Sequence, residues 1–338
     1  MKIAILGSPQ AGQQQLFSLL TGIPLETIQL KPLEVQPGVC EVRDPRVTAL
    51  SLKYKPKKTT FARIEYLLLP DLSVQGPAKD LIFKELKNAD EICWVARAEE
   101  DIRNFISELI IYDLMLAEKR TENLEKEQRR KFSAQNEKEK EFMLLIKAQL
   151  DQEKPLQFTR FSEDQLKMIR VYQFLTMKPL ILAVNVPEDK IADRKISEKI
   201  ARDLSFPCIQ ISAELEAEIS QLNAEDRTAF MKEMGIEESA LDKMAHLAYS
   251  GLGLISFFTV GEDEVRAWPV RRGAAAPEAG SVIHSDIEKG FVKAELMKYD
   301  DLLKAGSEEK LKEEGKFYLK GRDYIVEDGD ILNFRFNV

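Results

Sequence analysis

Lys2-Ile3-Ala4-Ile5-Leu6-Gly7-Ser8-Pro9-Gln10-Ala11-Gly12-Gln13-Gln14-Gln15-Leu16-Phe17 is the stretch on which the reading of the whole chain turns. Residues 3–6 are aliphatic, residues 7–12 form a Gly- and Pro-containing loop, and Leu16, Phe17, Leu19 and Leu20 then recur at helical spacing. Strand, loop and helix in that order bring backbone N–H groups and the positive end of a helix dipole to one point, which attracts anions. Gly7 and Gly12 stand at the interval of a phosphate-binding loop. A working loop of that kind continues with Lys, which neutralises the β- and γ-phosphates, and with Ser or Thr, which ligates Mg²⁺. Here those positions hold Gln13 and Gln14. The glycine spacing alone fits an ordinary strand–turn–helix equally well, so other segments have to separate the two readings.

Working outward, aliphatic runs recur at 64–69, 92–96, 180–184 and 208–211, each bounded by charged or Pro-containing segments. Near-continuous apolar strands alternating with helices predict a doubly wound, mostly parallel α/β sheet covered on both faces. The 338 residues, 44% of them apolar, suffice for about two or three domains with buried cores. With 57 acidic against 49 basic residues the net charge is -8, which excludes a globally basic nucleic-acid coat and leaves room only for local basic patches. Cys40, Cys93 and Cys208 are odd in number and widely spread, and only His246 and His284 supply imidazole. Neither a disulfide framework nor a Cys/His metal centre is expected, and a reducing, cytoplasmic compartment is. The apolar run at the start is too short for a signal peptide, and no stretch approaches the ~20 residues of a membrane span.

Between the third and fourth runs the composition shifts. Residues 118–141 are almost all Glu, Lys, Arg, Gln and Asn, flanked by one-sided apolar periods at Ile102, Phe105, Ile106, Leu109, Tyr112 and Leu116 and at Phe142, Leu145 and Ile146. An inserted antiparallel helical hairpin turning near 132–136 is expected. Ser162 and Gln165 have capping-box spacing for the next helix. A helical stretch follows from 213 to about 249, with Gly235 as its break. Strand patterns then appear at 257–260, 265–270 and 291–297, and Leu332, Phe334 and Phe336 alternate with Asn333, Arg335 and Asn337 after the turn signal Asp328-Gly329. The expected organisation is a nucleotide-fold domain over 1–97 and 175–253, a helical insertion over 98–174 and an α+β domain over 254–338.

The segments 264–268, 282–291 and 323–330, with the ending Phe334-Arg335-Phe336-Asn337-Val338, resemble the TGS domain of the YchF or Obg-like ATPase family, and the resemblance extends over essentially the whole chain. It implies a P-loop G domain, an inserted coiled coil and a β-grasp TGS module. By that resemblance Gly7, Pro9, Gln10, Ala11, Gly12, Gln13 and Gln14 are the phosphate loop. Asn185 and Glu188 carry the family's Asn-x-x-Glu base-reading motif, Ser212 and Ala213 its last nucleotide loop, and Asp71 its Mg²⁺-supporting aspartate. A polar turn after a buried strand is the plainer account of Asn185 and Glu188. Val74 replaces the glycine that senses the γ-phosphate, Gly76 could stand in only after a shift of register, and Pro32 falls where the family has a Mg²⁺-linked Thr. Phosphate charge, metal ligation and γ-phosphate sensing are therefore altered together, while the base motif persists.

The resemblance also implies contact with a ribosome or RNA through the coiled coil and TGS domain. Lys126, Arg129, Arg130 and Lys131 near the hairpin tip, with Arg266, Arg271 and Arg272, are the candidate phosphate contacts; a solvated helical face explains the first group equally well. His246 and His284 read as structural. The expected function is a ribosome- or translation-associated protein that binds ATP or GTP, with Mg²⁺, weakly or not at all, and holds no tightly bound cofactor. Sequence-specific DNA binding and membrane contact are not expected. Two alternatives remain open: an active ATPase or GTPase that takes its missing cation from elsewhere, for example Lys79 or Lys84, and a nucleotide-independent RNA-binding scaffold.

Overall fold

In the computed structural model the described residues are 1–234, 236 and 238–337; Gly235, expected to break a helix, Glu237 and Val338 lie outside them. The strands are β1 (Lys2–Gly7), β2 (Gln36–Val42), β3 (Lys58–Thr60), β4 (Ala62–Leu68), β5 (Glu91–Ala96), β6 (Leu180–Asn185), β7 (Cys208–Ile211), β8 (Leu254–Thr259), β9 (Glu264–Arg271), β10 (Phe291–Lys298), β11 (Tyr318–Lys320) and β12 (Asp330–Phe336). The chain divides into two compact units, one of Met1–Gly38 with Glu65–Leu241 and one of Val39–Ile64 with Asp242–Val338.

The first unit is built on a sheet of order β2-β4-β1-β5-β6-β7. The β1–β4, β1–β5, β5–β6 and β6–β7 pairs are all parallel. This is the α/β sheet expected from the aliphatic runs. The chain passes from β4 to β5 across β1, so the strand order reverses direction beside β1, and the carboxyl ends of β1, β4, β6 and β7 share one edge. In open α/β sheets ligands bind at such an edge, next to the reversal.

The acidic–basic insertion is two helices, Glu99–Arg130 and Ala134–Leu150. The reversal is slightly earlier than expected, because Ser133 caps the second helix through the Asn136 N–H and Asn136 lies within it. Ala117, Leu124, Phe142, Met143 and Ile146 belong to the same buried cluster as Leu6, Trp94 and Leu182, so one continuous core joins hairpin and sheet. Trp94 of β5 stacks on Phe105 of the first hairpin helix at 3.9 Å between ring centroids. The Ser162–Gln165 capping box forms as its spacing predicts.

The second unit carries a mixed sheet of order β11-β10-β12-β8-β9-β3. Its central pair β12–β8 is parallel and the pairs β10–β12 and β8–β9 are antiparallel. The helix Ala276–Ile283 contributes Ala276 and Ala279 to the core with Phe257, Leu296, Leu332 and Phe334, which is a β-grasp arrangement. Phe336 departs from the expected alternation and is 39% exposed, since the strand runs past the core at that point. Features not apparent from sequence include β2, β11, the helix Pro45–Tyr54, capped by Asp44, and β3, which pairs in parallel with β9. Residues 39–64, expected within the nucleotide-fold domain, are thereby grouped with the C-terminal unit. No described helix is long and apolar enough to cross a membrane.

Candidate functional site

At the end of β1 the chain approaches β5 so closely that a Cβ on Gly7 would lie 2.6 Å from the Val95 carbonyl oxygen, so only glycine fits. The Ser8 N–H donates to that carbonyl at 3.1 Å, and the Ala11 N–H closes the loop on the Ser8 carbonyl at 3.0 Å. The Ser8 hydroxyl donates to Asp101 at 3.1 Å, and the same carboxylate oxygen accepts the Arg97 and Ala98 N–H groups at the start of the hairpin. The loop is thus pinned to the insertion by a residue that motif reading did not single out. Gly12 then takes φ 94°, a left-handed conformation, as the N-cap of the helix Gln13–Thr21. No side chain caps that helix, so its first N–H groups keep their capacity for an anion.

The second polar strand end meets the loop. Asn185, at the end of β6, donates from Nδ2 to the Ala11 carbonyl at 2.9 Å and accepts the Ala213 N–H on Oδ1 at 3.0 Å. A Cβ on Gly12 would stand 2.5 Å from Asn185 Nδ2. One carboxamide therefore ties the phosphate loop to the loop after β7, where Ser212 caps the helix Ala213–Gln221. Gln15 adds a hydrogen bond from Nε2 to the Ala213 carbonyl at 3.1 Å. Glu188 begins the short 3₁₀ turn Glu188–Lys190 and is half-buried.

A cleft of ≈ 540 Å³ opens over the loop. Its walls include Pro9, Gln10, Gly12, Gln13 and Gln14 from the loop, together with Asp71 and Val74 from the segment after β4. Residues 29–36 supply Gln29, Pro32, Glu34 and Gln36. Six glutamines line the cleft, two carboxylates join them, and no lysine or arginine does. The Gln13 side-chain oxygen reaches back to within 3.2 Å of the position a Gly7 Cβ would take, so the carboxamide folds over the loop. Asp71 Oδ1 accepts the Ser73 N–H at 2.8 Å. Gln29, Gln36 and Glu34 were missed by motif reading, for they come from the end of the helix Leu25–Gln29, the start of β2 and the loop between, where no periodicity marks them, and the recurrence of glutamine was the available signal.

The candidate cation donors lie elsewhere. Lys79 pairs with Glu108 at 3.0 Å, and neither Lys79 nor Lys84 lines the cleft. At the hairpin tip Lys126, Arg129 and Arg130 occupy the last turns of the first helix, and Lys131 follows it. All four are exposed and none makes an ion pair among the described residues, although Arg120, Lys140 and Lys147 further down the hairpin are all paired. Phe132 beside them is 73% exposed. In the C-terminal unit Arg266 lies over Trp268 at 3.8 Å and within 4.0 Å of Glu264, Arg271 ends β9, and Arg272 lines a separate cavity. His284 caps a short helix by accepting the Asp286 N–H on Nδ1, and His246 lies on the helix Ala240–Gly251.

A family model described as YchF-GTPase_C, Protein of unknown function (DUF933), matches residues 254–337. Over 366 aligned positions the chain is 35% identical to the ribosome-binding ATPase YchF of Bacillus subtilis (strain 168), covering 99% of this chain and 98% of the relative. It is 32% identical to the ribosome-binding ATPase YchF of Haemophilus influenzae, covering 100% and 99%. Among solved structures, that of the Schizosaccharomyces pombe YchF GTPase matches with a TM-score of 0.85 at 26% identity, over 99% of this chain and 97% of that one.

Proposed function

Because the chain belongs to the YchF family, we propose that it is a cytoplasmic, ribosome-associated protein whose purine-nucleotide fold binds ATP or GTP weakly or not at all. Relatives named as ribosome-binding ATPases support the association with the ribosome. The lining of the phosphate-loop cleft carries the second half of the reading: six glutamines and two carboxylates, with no lysine or arginine. A neutral carboxamide offers hydrogen bonds to a triphosphate but no net charge, and a fixed cation in such a site is worth far more than one in water. The helix dipole, about half a charge, is left to oppose Asp71, while Glu34 is paired with Lys31 at 2.8 Å.

The donors fit a Mg²⁺–triphosphate poorly. Gln14 brings an amide oxygen where a hydroxyl is needed, Pro32 brings no donor, and one Asp71 oxygen is already occupied by the Ser73 N–H. Calorimetry of the full chain with ATP or GTP and Mg²⁺ tests the reading. Binding weaker than micromolar, or none, is expected; sub-micromolar Mg²⁺-dependent affinity would overturn it. The double variant Gln13→Lys, Gln14→Ser restores the ammonium and the hydroxyl, and it is expected to raise triphosphate affinity at least tenfold over the parent. The bare basic tip Lys126, Arg129, Arg130 and Lys131 favours a second reading, in which RNA is held without regard to nucleotide. Filter binding of RNA that is indifferent to added ATP and GTP would favour that scaffold.

A further inference from the structure

A cavity of ≈ 410 Å³ lies within the C-terminal unit, walled in part by Arg43, Arg46, Arg272, Asp44, Asp328 and Tyr249. Its acids are already spent. Arg46 donates to Asp44 from Nε at 3.0 Å and from Nη2 at 2.8 Å, and to the two Asp328 oxygens at 2.7 Å and 3.2 Å. Asp44 also accepts the Arg46 N–H at 2.9 Å, and Asp328 accepts the Ser256 N–H at 2.9 Å. The Arg46 guanidinium lies 5.0 Å from the centre of the Phe258 ring, which holds the fork in place. The remaining cations are not spent. Arg43 and Arg272 make no side-chain hydrogen bond or ion pair among the described residues. The Tyr249 hydroxyl is buried beside Ser256, and burial keeps it protonated by pushing it up to about 12.

We propose that this cavity binds the phosphate group of a small molecule of about nucleoside-monophosphate size, held by the Arg43 and Arg272 guanidiniums. Two unspent planar forks on one concavity form the donor set that a phosphate oxygen cluster takes up. The volume falls in the range of small-ligand sites. A polynucleotide backbone suits the cavity less well, since successive phosphates would pass the carboxylates of Asp44 and Asp328, whereas a single phosphate needs only the two arginines. The site shares no residue with the phosphate-loop cleft, and the inference does not rest on the function proposed above.

The test is titration of the full-length protein, without Mg²⁺, with AMP, inorganic phosphate and a short oligouridylate. AMP or inorganic phosphate is expected to bind at one site per chain, and the stronger of the two identifies the source of the phosphate. Arg43→Ala with Arg272→Ala should weaken that binding by about tenfold or more, and Arg43→Lys with Arg272→Lys should recover part of the loss. Both arginines are exposed, so thermal melting of these variants is expected to match the parent. Gln13→Glu with Gln14→Glu, which adds charge to the other cleft, should leave the binding unchanged. No binding at millimolar AMP or phosphate, binding indifferent to the arginine pair, or binding of the oligouridylate alone would each overturn the proposal.

Discussion

Asn185 spends its carboxamide on the Ala11 carbonyl and the Ala213 N–H, so the side chain read from sequence as a base contact is, in the structure, a strut between two loops. Gly7, Gly12, Asp71 and Asn185 were legible because each sits at a strand end or at a fixed interval from one. Gln29 and Gln36 were not, because only folding brings the helix end and the strand start that carry them over the loop. Glu91, at the start of β5, was equally silent in sequence. It is 1% exposed, and neither of its carboxylate oxygens has a hydrogen-bond partner. Burial, with the nearby Asp90 charge, pushes it from 4.5 up to about 8. Between those two values the unfolded chain ionises Glu91 and the folded chain keeps it neutral, so the folded state binds the extra proton. Stability attributable to this group therefore falls as pH rises through the window and levels off above it. Glu91→Gln should flatten that fall and raise the melting temperature at pH 8 relative to pH 5, as thermal melts across the range will read. An unchanged pH slope in the variant would count against this account.

Among the elements, the hairpin shows how a polar composition hides a structural anchor. Residues 118–141 read as a solvated face, and most of their charges are indeed paired or exposed. Asp113, one turn earlier, is fully buried in the first helix. It accepts the Leu175 N–H at 2.9 Å, the Thr176 N–H at 2.8 Å and the Thr176 hydroxyl at 2.7 Å, fastening the chain that re-enters the sheet to the helix that left it. Burial pushes Asp113 up to about 6 while those donors pull it down. Asp113→Ala would strand three buried donors, and a loss of about 2–5 kcal/mol in urea unfolding is expected. Asp113→Asn keeps an acceptor and should cost less. Equal losses in the two variants would show that the hydrogen bonds are not what holds the junction. One-sided apolar spacing revealed the two helices, but a long-range hydrogen bond from a lone aspartate leaves no periodic trace.

For the molecule as a whole, a net charge of -8 opposes approach to RNA, so any ribosomal contact must be local. The unpaired tip cluster is the place where that contact is expected to be strongest. Replacing Lys126, Arg129, Arg130 and Lys131 by Gln should weaken ribosome binding and reduce its salt dependence, by about 0.7–0.9 in logarithmic slope for each phosphate no longer neutralised. Pelleting with ribosomes at several salt concentrations measures both, and an unaltered slope would place the contact elsewhere. The two sheets were legible from their strand patterns, but the assignment of residues 39–64 was not. Nothing in Lys58-Thr59-Thr60 announces β9 as its neighbour, because three-residue edge strands carry too little pattern to declare a partner. The backbone therefore passes between the two units three times, at 38/39, 64/65 and 241/242. A protease acting near residue 253 would not liberate a finished C-terminal module; it would strip β3 from β9 and the helix Pro45–Tyr54 from the unit they belong to, and leave both fragments with raw, aggregation-prone edges.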